Sequence, residues 1–284
     1  MKLAWIGCGV MGKAMVQHLN TGEHSICVFN RSIDKAKDLE DTHVHVKNSI
    51  EACVKECDVV FSIVGYPKDV KEVYEEVFKF AKKGTVLIDM TTSSPTLAKD
   101  LYLEAKKYEM DMLDCPVSGG DSGAKNATLT LMCGGDLDVY TKCIPLLSLL
   151  GTSLNYMGEA GNGQHTKACN QIAVAGAIAA LSEAIVYAKT HKLDPQKMIQ
   201  AIQGGAASSW QIQNSAPRIL KKDYAPGFYI KHIIKDMHIV QDEMKNTPLH
   251  LTMLDSVCQM YEELASQGEE NLGTQALLHY YHID

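Results

Sequence analysis

The hydrophobic and polar positions in the first half of the chain predict buried strands separated by helices. The apolar runs with the length of a buried strand are 2–6, 25–29, 58–64, 85–90 and 110–114. Residues 69–83 carry valines and a phenylalanine at helical spacing, and a further helix is predicted to begin at Ser32. Buried strands that alternate with helices imply right-handed crossover units and a parallel sheet. Shorter apolar runs at 129–133 and 154–157 are predicted to extend that sheet.

The second half of the chain is predicted to be helical. An apolar run over 172–181 follows a loop that contains glycines, and it predicts one long buried helix over 163–191. Helical spacing continues beyond it, with Pro195 placed to begin the next helix. We therefore predict an α/β domain over residues 1–160 and an all-α domain over 161–284, joined by the long apolar helix.

Composition and charge disfavour several classes of protein. The formal charge of −7 disfavours a surface for nucleic acid or for an anionic membrane. The longest apolar run, about ten residues, is too short to span a bilayer. The nine cysteines form no CxxC pair and no Cys/His spacing typical of a metal site, and no apolar signal segment follows Lys2. We expect free thiols, no bound metal and a cytoplasmic protein.

The first predicted strand leads directly into the sequence GCGVMG at residues 7–12, where a helical pattern begins. A strand, a GxGxxG sequence and a helix in this order are typical of a dinucleotide site. The first glycine forms the tight turn, the second lets the backbone approach the pyrophosphate, and the third permits close packing of helix on strand. The expected cofactor contacts in this loop are Gly7, Gly9, Val10, Met11 and Gly12. The first domain is therefore predicted to be a Rossmann-type dinucleotide-binding domain.

The end of the second strand indicates which dinucleotide is preferred. NAD-binding domains of this type usually have an acidic residue there for the ribose hydroxyls, whereas this chain has Asn30, Arg31 and Ser32. Arg31 can hold a 2′-phosphate bidentately, with Asn30 and Ser32 as further donors. These residues favour NADP. The alternative is that Arg31 is a solvated charge and that both NADP and NAD are accepted.

Loops after three predicted strands are further candidates for ligand contact, because ligands of parallel sheets lie beyond the carboxyl ends of the strands. Val64 and Thr92 lie in two of these loops and are candidates for cofactor contact. A Ser or Thr before Pro also serves as an ordinary helix cap, so that alternative stays open for the second loop. The residues of the third loop, whose backbone N–H groups suit a carboxylate, are Ser118, Gly119 and Gly120.

A polar face at the start of the long helix is the main candidate for chemistry. Lys167, Asn170 and Gln171 share one face because they are three and four residues apart, whereas His165 lies on another. A lysine beside two amides is costly to bury in a packed interior. Lys167 is therefore either the exposed beginning of a core helix or a functional group.

Four stretches together resemble the β-hydroxyacid dehydrogenase family, which includes 3-hydroxyisobutyrate dehydrogenases, tartronate semialdehyde reductases and glyoxylate/succinic semialdehyde reductases. They are GCGVMG at 7–12, DCPVSGG at 114–120, GNGQHTKACNQ at 161–171 and KD at 235–236. The resemblance covers essentially the whole chain, and the order and spacing of the four stretches are quite specific. It implies a Rossmann domain, a helical second domain and an active site between them.

The resemblance also implies roles for individual residues. Lys167 would be the catalytic acid/base, and Asn170 would orient the substrate beside it. The residues that would hold the substrate carboxylate are Ser118, Gly119 and Gly120. Lys235 would reach the cofactor from the second domain, and Thr92 would touch it from the first. Many members have two adjacent asparagines after the lysine, whereas here the second position is Gln171, another candidate substrate contact, whose amide lies one methylene further from the backbone.

The sequence therefore predicts an NADP-preferring oxidoreductase that interconverts a small β-hydroxyacid and its semialdehyde. The alternatives are an imine reductase of the same fold and a non-catalytic NADP-sensing or scaffold protein. Proteins of both kinds commonly lack the lysine that this chain has at Lys167. The apolar helices of the second domain are also expected to bury an interface in a homo-oligomer.

Overall fold

The computed structural model describes residues 1–283, and the chain divides into two compact units after Lys167. The division falls inside the long helix, whereas the sequence-based boundary precedes it. The strands of the first unit are β1 (Lys2–Ile6), β2 (Ser25–Phe29), β3 (Val44–Val46), β4 (Val59–Ser62), β5 (Val86–Asp89), β6 (Asp111–Asp114), β7 (Val117–Ser118), β8 (Leu129–Gly135) and β9 (Gly151–Tyr156). Its helices are α1 (Val10–Leu19), α2 (Ile50–Val54), α3 (Pro67–Phe80), α4 (Pro95–Lys107), α5 (Gly120–Lys125) and α6 (Leu137–Leu147).

The strands form one sheet in the order β3-β2-β1-β4-β5-β6-β8-β7, with β9 paired to β8. All neighbours from β3 to β6 are parallel, and β8 is antiparallel to β6 and β7. Alternate residues of β1 pack into different hydrophobic clusters, Leu3 and Trp5 into one and Ala4 and Ile6 into the other. The sheet is thus covered on both faces, as a parallel sheet requires. The predicted Rossmann-type domain is confirmed.

The sequence-based prediction for the first unit differs from the structure in two respects. The helix expected from Ser32 consists of two 3₁₀ turns, Ile33–Lys35 and Lys37–Leu39. Its buried side chains, Ala36 and Leu39, are three residues apart, which suits the threefold 3₁₀ repeat better than an α-helix. The elements β3, α2, β7 and α5 were not predicted, because they are too short to display a period.

The expectation that all nine cysteines are free thiols is wrong. Cys115 and Cys133 form a disulfide, and the other seven are free. The register of β6 on β8 places Asp114 opposite Gly134, so the next residues along, Cys115 and Cys133, are also neighbours. Spacing along the chain does not reveal this pairing because it arises from the strand register.

The second unit is helical, and this confirms the predicted all-α domain. The long helix α7 (Asn162–Thr190) links the two units. The other helices are α8 (Pro195–Ile202), α9 (Ala216–Leu220), α10 (Ile230–Met244) and α11 (Thr252–Ser266), with a π-helical turn at Gln211–Ser215 and a 3₁₀ helix at Thr274–Tyr281. Ile178, Leu181 and Ile185 of α7 pack into the core of this unit.

Helix α7 is long and apolar enough to cross a membrane by length and composition alone. Core helices of globular proteins have the same properties. In its most apolar stretch of 18 residues, 44% of the positions are buried within the protein. The length and composition of α7 therefore do not by themselves indicate a membrane span.

Candidate active site

The glycine loop after β1 is fixed on its inner side and open on its outer side. A Cβ atom on Gly7 would lie 2.1 Å from the carbonyl oxygen of Ile63, and one on Gly12 would lie 2.1 Å from the carbonyl oxygen of Gly7. The indole of Trp5 donates a 2.8 Å hydrogen bond to that Gly7 oxygen. Gly9 is exposed, and apart from Gly9 itself and its neighbours Cys8 and Val10, no atom of residues 1–283 lies within 4 Å of the position of its missing Cβ. The loop thus has the form that a dinucleotide pyrophosphate requires.

The side chain of Asn30 connects the end of β2 to the glycine loop. Its Oδ1 accepts a 2.8 Å hydrogen bond from the backbone N–H of Cys8, and its Nδ2 donates to the carbonyl of Ser32 at 2.8 Å. Arg31 follows with a side chain that is 86% exposed and forms an ion pair with Asp69 at 3.3 Å. Asn30 therefore organises the loop, and the phosphate-binding role expected of Asn30, Arg31 and Ser32 stays a prediction.

A buried polar network fixes the loops that follow β4 and β5. The Thr91 hydroxyl accepts a 2.9 Å hydrogen bond from the backbone N–H of Val64. The Asp89 carboxylate accepts from the Ser62 hydroxyl at 2.9 Å and from the Thr91 backbone at 3.1 Å. The candidate cofactor residues Val64 and Thr92 are both partly buried and lie in loops that these bonds hold together.

Gln164, in the first turn of α7, is a positioning residue that the sequence did not reveal. The residue is buried, with 1% of its surface exposed. It accepts a 2.9 Å hydrogen bond from the backbone N–H of Ser93 and donates one of 2.7 Å to the carbonyl of Thr91. The loop that carries Thr92 is therefore fastened to the same helix turn that precedes Lys167.

Asp114, at the end of β6, caps the beginning of α7 and was also missed. Its carboxylate accepts hydrogen bonds from the backbone N–H groups of Gly161 at 2.7 Å and Gln164 at 2.8 Å. A Cβ atom on Gly163 would lie 2.3 Å from the carbonyl oxygen of Met132, so only glycine allows this approach. Burial raises the pKa of Asp114 to about 6, although the two backbone N–H groups act in the opposite direction.

Asp114 is expected to make the free energy of unfolding fall as the pH rises from about 4 to about 6. The carboxyl has a pKa of about 6 in the folded chain and an ordinary value of 3.8, so the folded state binds more protons over this range. The two pKa values differ enough for the change to approach ~3 kcal/mol. Asp114→Asn lacks this titration, so its free energy of unfolding should rise relative to wild type as the pH rises. Urea unfolding of both proteins across this pH range measures the difference, and a pH-independent difference would contradict the prediction.

Lys167 is buried, with 7% of the residue exposed. The alternative of an exposed lysine at the beginning of a core helix is therefore wrong. Ser118 is partly buried at the end of β7, and Gly119 and Gly120 have φ values of +131° and +61°. These two conformations favour glycine and set the backbone that leads into α5. The predicted carboxylate-binding residues thus form a sharp turn at the end of a strand.

The predicted site residues of the second unit form a hydrogen-bonded chain. Asn170 donates to the Gln171 Oε1 at 2.8 Å, and Gln171 donates to the Asp236 carboxylate at 2.6 Å. Lys235 forms an ion pair with the same carboxylate at 2.9 Å. Gln171 and Asp236 are 2% and 3% exposed, so neither is a surface residue. The longer amide of Gln171 connects α7 to α10, and its expected contact with substrate stays a prediction.

Comparison with known proteins finds similarity over nearly the whole chain. Residues 2–158 match the family model described as the NAD binding domain of 6-phosphogluconate dehydrogenase. Residues 161–281 match the model described as NAD-binding of NADP-dependent 3-hydroxyisobutyrate dehydrogenase. A probable 3-hydroxyisobutyrate dehydrogenase-like protein of Arabidopsis thaliana is 43% identical over 98% of this chain and 84% of its own length.

Two further proteins extend the comparison. The 2-hydroxy-3-oxopropionate reductase of Escherichia coli is 32% identical, over 98% of this chain and 96% of its own. The structure of Mycobacterium tuberculosis 3-hydroxyisobutyrate dehydrogenase with L-serine has a TM-score of 0.92 and 28% identity, and the match covers 99% of each chain. The similarity thus includes both the glycine loop and the stretch around Lys167.

Proposed function

Because the chain belongs to the β-hydroxyacid dehydrogenase family, we propose that it is an NADP-preferring enzyme that interconverts a small β-hydroxyacid and its semialdehyde. The observation that carries this proposal is the buried Lys167, which follows a helix turn fixed by Asp114 and Gln164. A buried ammonium is costly unless its surroundings compensate for it, and such groups are frequent at functional sites.

The residues of the first unit fit a dinucleotide. The backbone of the glycine loop and the beginning of α1 would hold the pyrophosphate, and Arg31 would hold the 2′-phosphate that distinguishes NADP from NAD. When bound, the nicotinamide supplies or accepts the hydride. Thr92 and Lys235 would contribute further contacts to the cofactor, as the family resemblance implies.

Lys167 would transfer the proton that accompanies the hydride. In the reduction direction, its ammonium donates a proton to the carbonyl oxygen of the semialdehyde, so that an alcohol forms and a neutral amine remains. In the oxidation direction, the amine takes the hydroxyl proton back. The positive charge also stabilises the negative charge that develops on the oxygen. Asn170, three residues further along the same helix face, would orient the substrate.

The backbone at Ser118, Gly119 and Gly120 would hold the carboxylate of the substrate. Consecutive N–H groups in a glycine turn form a concave site for an anion. These contacts with the carboxylate would define the class of substrate, a small acid with an aldehyde or hydroxyl group, rather than one particular acid.

The proposal is tested by following the oxidation of NADPH with tartronate semialdehyde and with the semialdehyde of 3-hydroxyisobutyrate, because reduction of either compound gives a β-hydroxyacid. We expect turnover with at least one of these acids and much less with propanal, a matched aldehyde that lacks the carboxylate. Binding of NADPH without turnover on any acid would favour a non-catalytic sensor, the alternative from another class. Turnover of propanal as fast as of the acids would contradict the carboxylate site.

A further inference from the structure

We propose that Asp69 limits the preference of this site for NADP over NAD, because it pairs with Arg31 and holds a fixed negative charge beside it. The inference rests on the proposed role of Arg31 as the ligand of the 2′-phosphate. Asp69 lies in the first turn of α3, in the chain segment after β4, and β4 is separated from β2 only by β1 in the sheet.

The Asp69 carboxylate is held in place by the helix that carries it. Its Oδ2 accepts a 3.0 Å hydrogen bond from the backbone N–H of Tyr66, the N-cap residue of α3. Its Oδ1 lies 3.3 Å from Nη1 of Arg31. The Asp69 side chain is 24% exposed and that of Arg31 is 86% exposed. The carboxylate therefore cannot turn away without losing its capping bond, whereas the Arg31 guanidinium lies largely in solvent.

If NADP binds as proposed, Arg31 would interact with two anions, the Asp69 carboxylate and the 2′-phosphate. The phosphate would compete with Asp69 for the guanidinium and would also be repelled by the carboxylate. An exposed ion pair of this kind is weak, so it reduces the affinity for the phosphate without preventing binding. NAD has a hydroxyl in place of that phosphate, so Asp69 affects it little. Asp69 thus acts on the difference between the two cofactors.

The test compares the dissociation constants of NADPH and NADH for wild type and Asp69→Asn, measured by cofactor fluorescence without substrate. Asn keeps an oxygen that can accept the Tyr66 N–H and removes only the charge. We expect NADPH to bind roughly three- to tenfold more tightly and NADH to change less than about twofold. The matched control is Glu72→Gln, which removes the same charge from the same helix at a residue paired with Lys68 rather than Arg31.

The proposal is overturned if Asp69→Asn changes both cofactors equally, or if Glu72→Gln has the same effect. It also requires that the gain in NADPH affinity fall below about twofold in an Arg31→Ala background, since Asp69 acts on the phosphate mainly through Arg31. Asp69→Ser, which also retains a short polar acceptor, repeats the test if the asparagine variant is poorly folded. Failure of the proposed function has a different signature: wild type binds neither dinucleotide, or Arg31→Ala leaves NADPH affinity unchanged.

Discussion

Replacing Lys167 by Ala is expected to lower kcat by about 10²–10⁴-fold, the usual contribution of a positioned acid/base. The dissociation constant of NADPH should change by less than about threefold, because the loss concerns proton transfer rather than cofactor binding. Steady-state kinetics with the best acid of the panel give kcat, and cofactor fluorescence gives the dissociation constant.

Two further variants separate chemistry from packing. Lys167→Met keeps most of the buried aliphatic stem and should lose as much activity as the alanine variant, whereas a purely structural lysine would be rescued by methionine. Lys189→Ala, near the other end of the same helix, should retain wild-type turnover. If kcat of Lys167→Ala stays within about threefold of wild type, Lys167 is not the acid/base.

Replacing Gly9 and Gly12 of the first loop by alanine is expected to have two different effects on stability and on NADPH binding. Gly9→Ala should leave the melting temperature unchanged but weaken NADPH binding by at least about 100-fold, because its Cβ has space in the protein and would meet the pyrophosphate. Gly12→Ala should lower both the melting temperature and the affinity for NADPH, because its Cβ would lie 2.1 Å from the Gly7 carbonyl oxygen and force helix and strand apart. Overpacking of this kind costs about 1–3 kcal/mol or more.

Thermal unfolding and NADPH titration of both variants test this difference. Gly22→Ala is a control for the general effect of adding a methyl group, since Gly22 lies beyond the other end of α1 in open space, although its φ of +84° makes some loss of stability expected. Normal NADPH affinity in Gly9→Ala would show that the cofactor does not approach the loop at this residue. A melting temperature of Gly12→Ala equal to wild type would contradict the packing argument.

Much of the fold follows from the sequence because burial imposes a period. The β1 strand, the glycine loop and α7 are long or distinctive enough to be recognised alone, and the alternation of strands with helices predicts parallel strands joined by right-handed crossovers. The sequence could not show that the turns after Ser32 are 3₁₀ rather than α-helical. The segment has too few apolar positions to distinguish a repeat of 3.0 residues per turn from one of 3.6. The Cys115–Cys133 pair depends on strand register, which the local pattern does not contain.

The candidate site was recognisable in those residues whose chemistry is visible in a motif. Lys167 and the glycines of the first loop belong to this group. Asp114 and Gln164 were missed because each binds backbone groups far away in sequence, 47 residues for Asp114 with Gly161 and 73 for Gln164 with Thr91. Nearly every residue type has the same backbone N–H and C=O groups, so the sequence does not show which of them bind a given side chain. Both residues lie within stretches that carry the family resemblance, 114–120 and 161–171, so their position in those stretches was the available signal.

The way α7 begins has a consequence for where anions can bind in the first unit. The Asp114 carboxylate already accepts hydrogen bonds from backbone N–H groups at the positive end of the α7 dipole. Because Gly163 has no side chain, the ends of the strands also pack closely against the start of α7. The N-cap residue of helix α1 is Gly9, which has no side chain to act as a cap, so the dipole of α1 is available to a ligand. Sulfate soaked into crystals of this protein should therefore bind at the start of α1 and not at the start of α7.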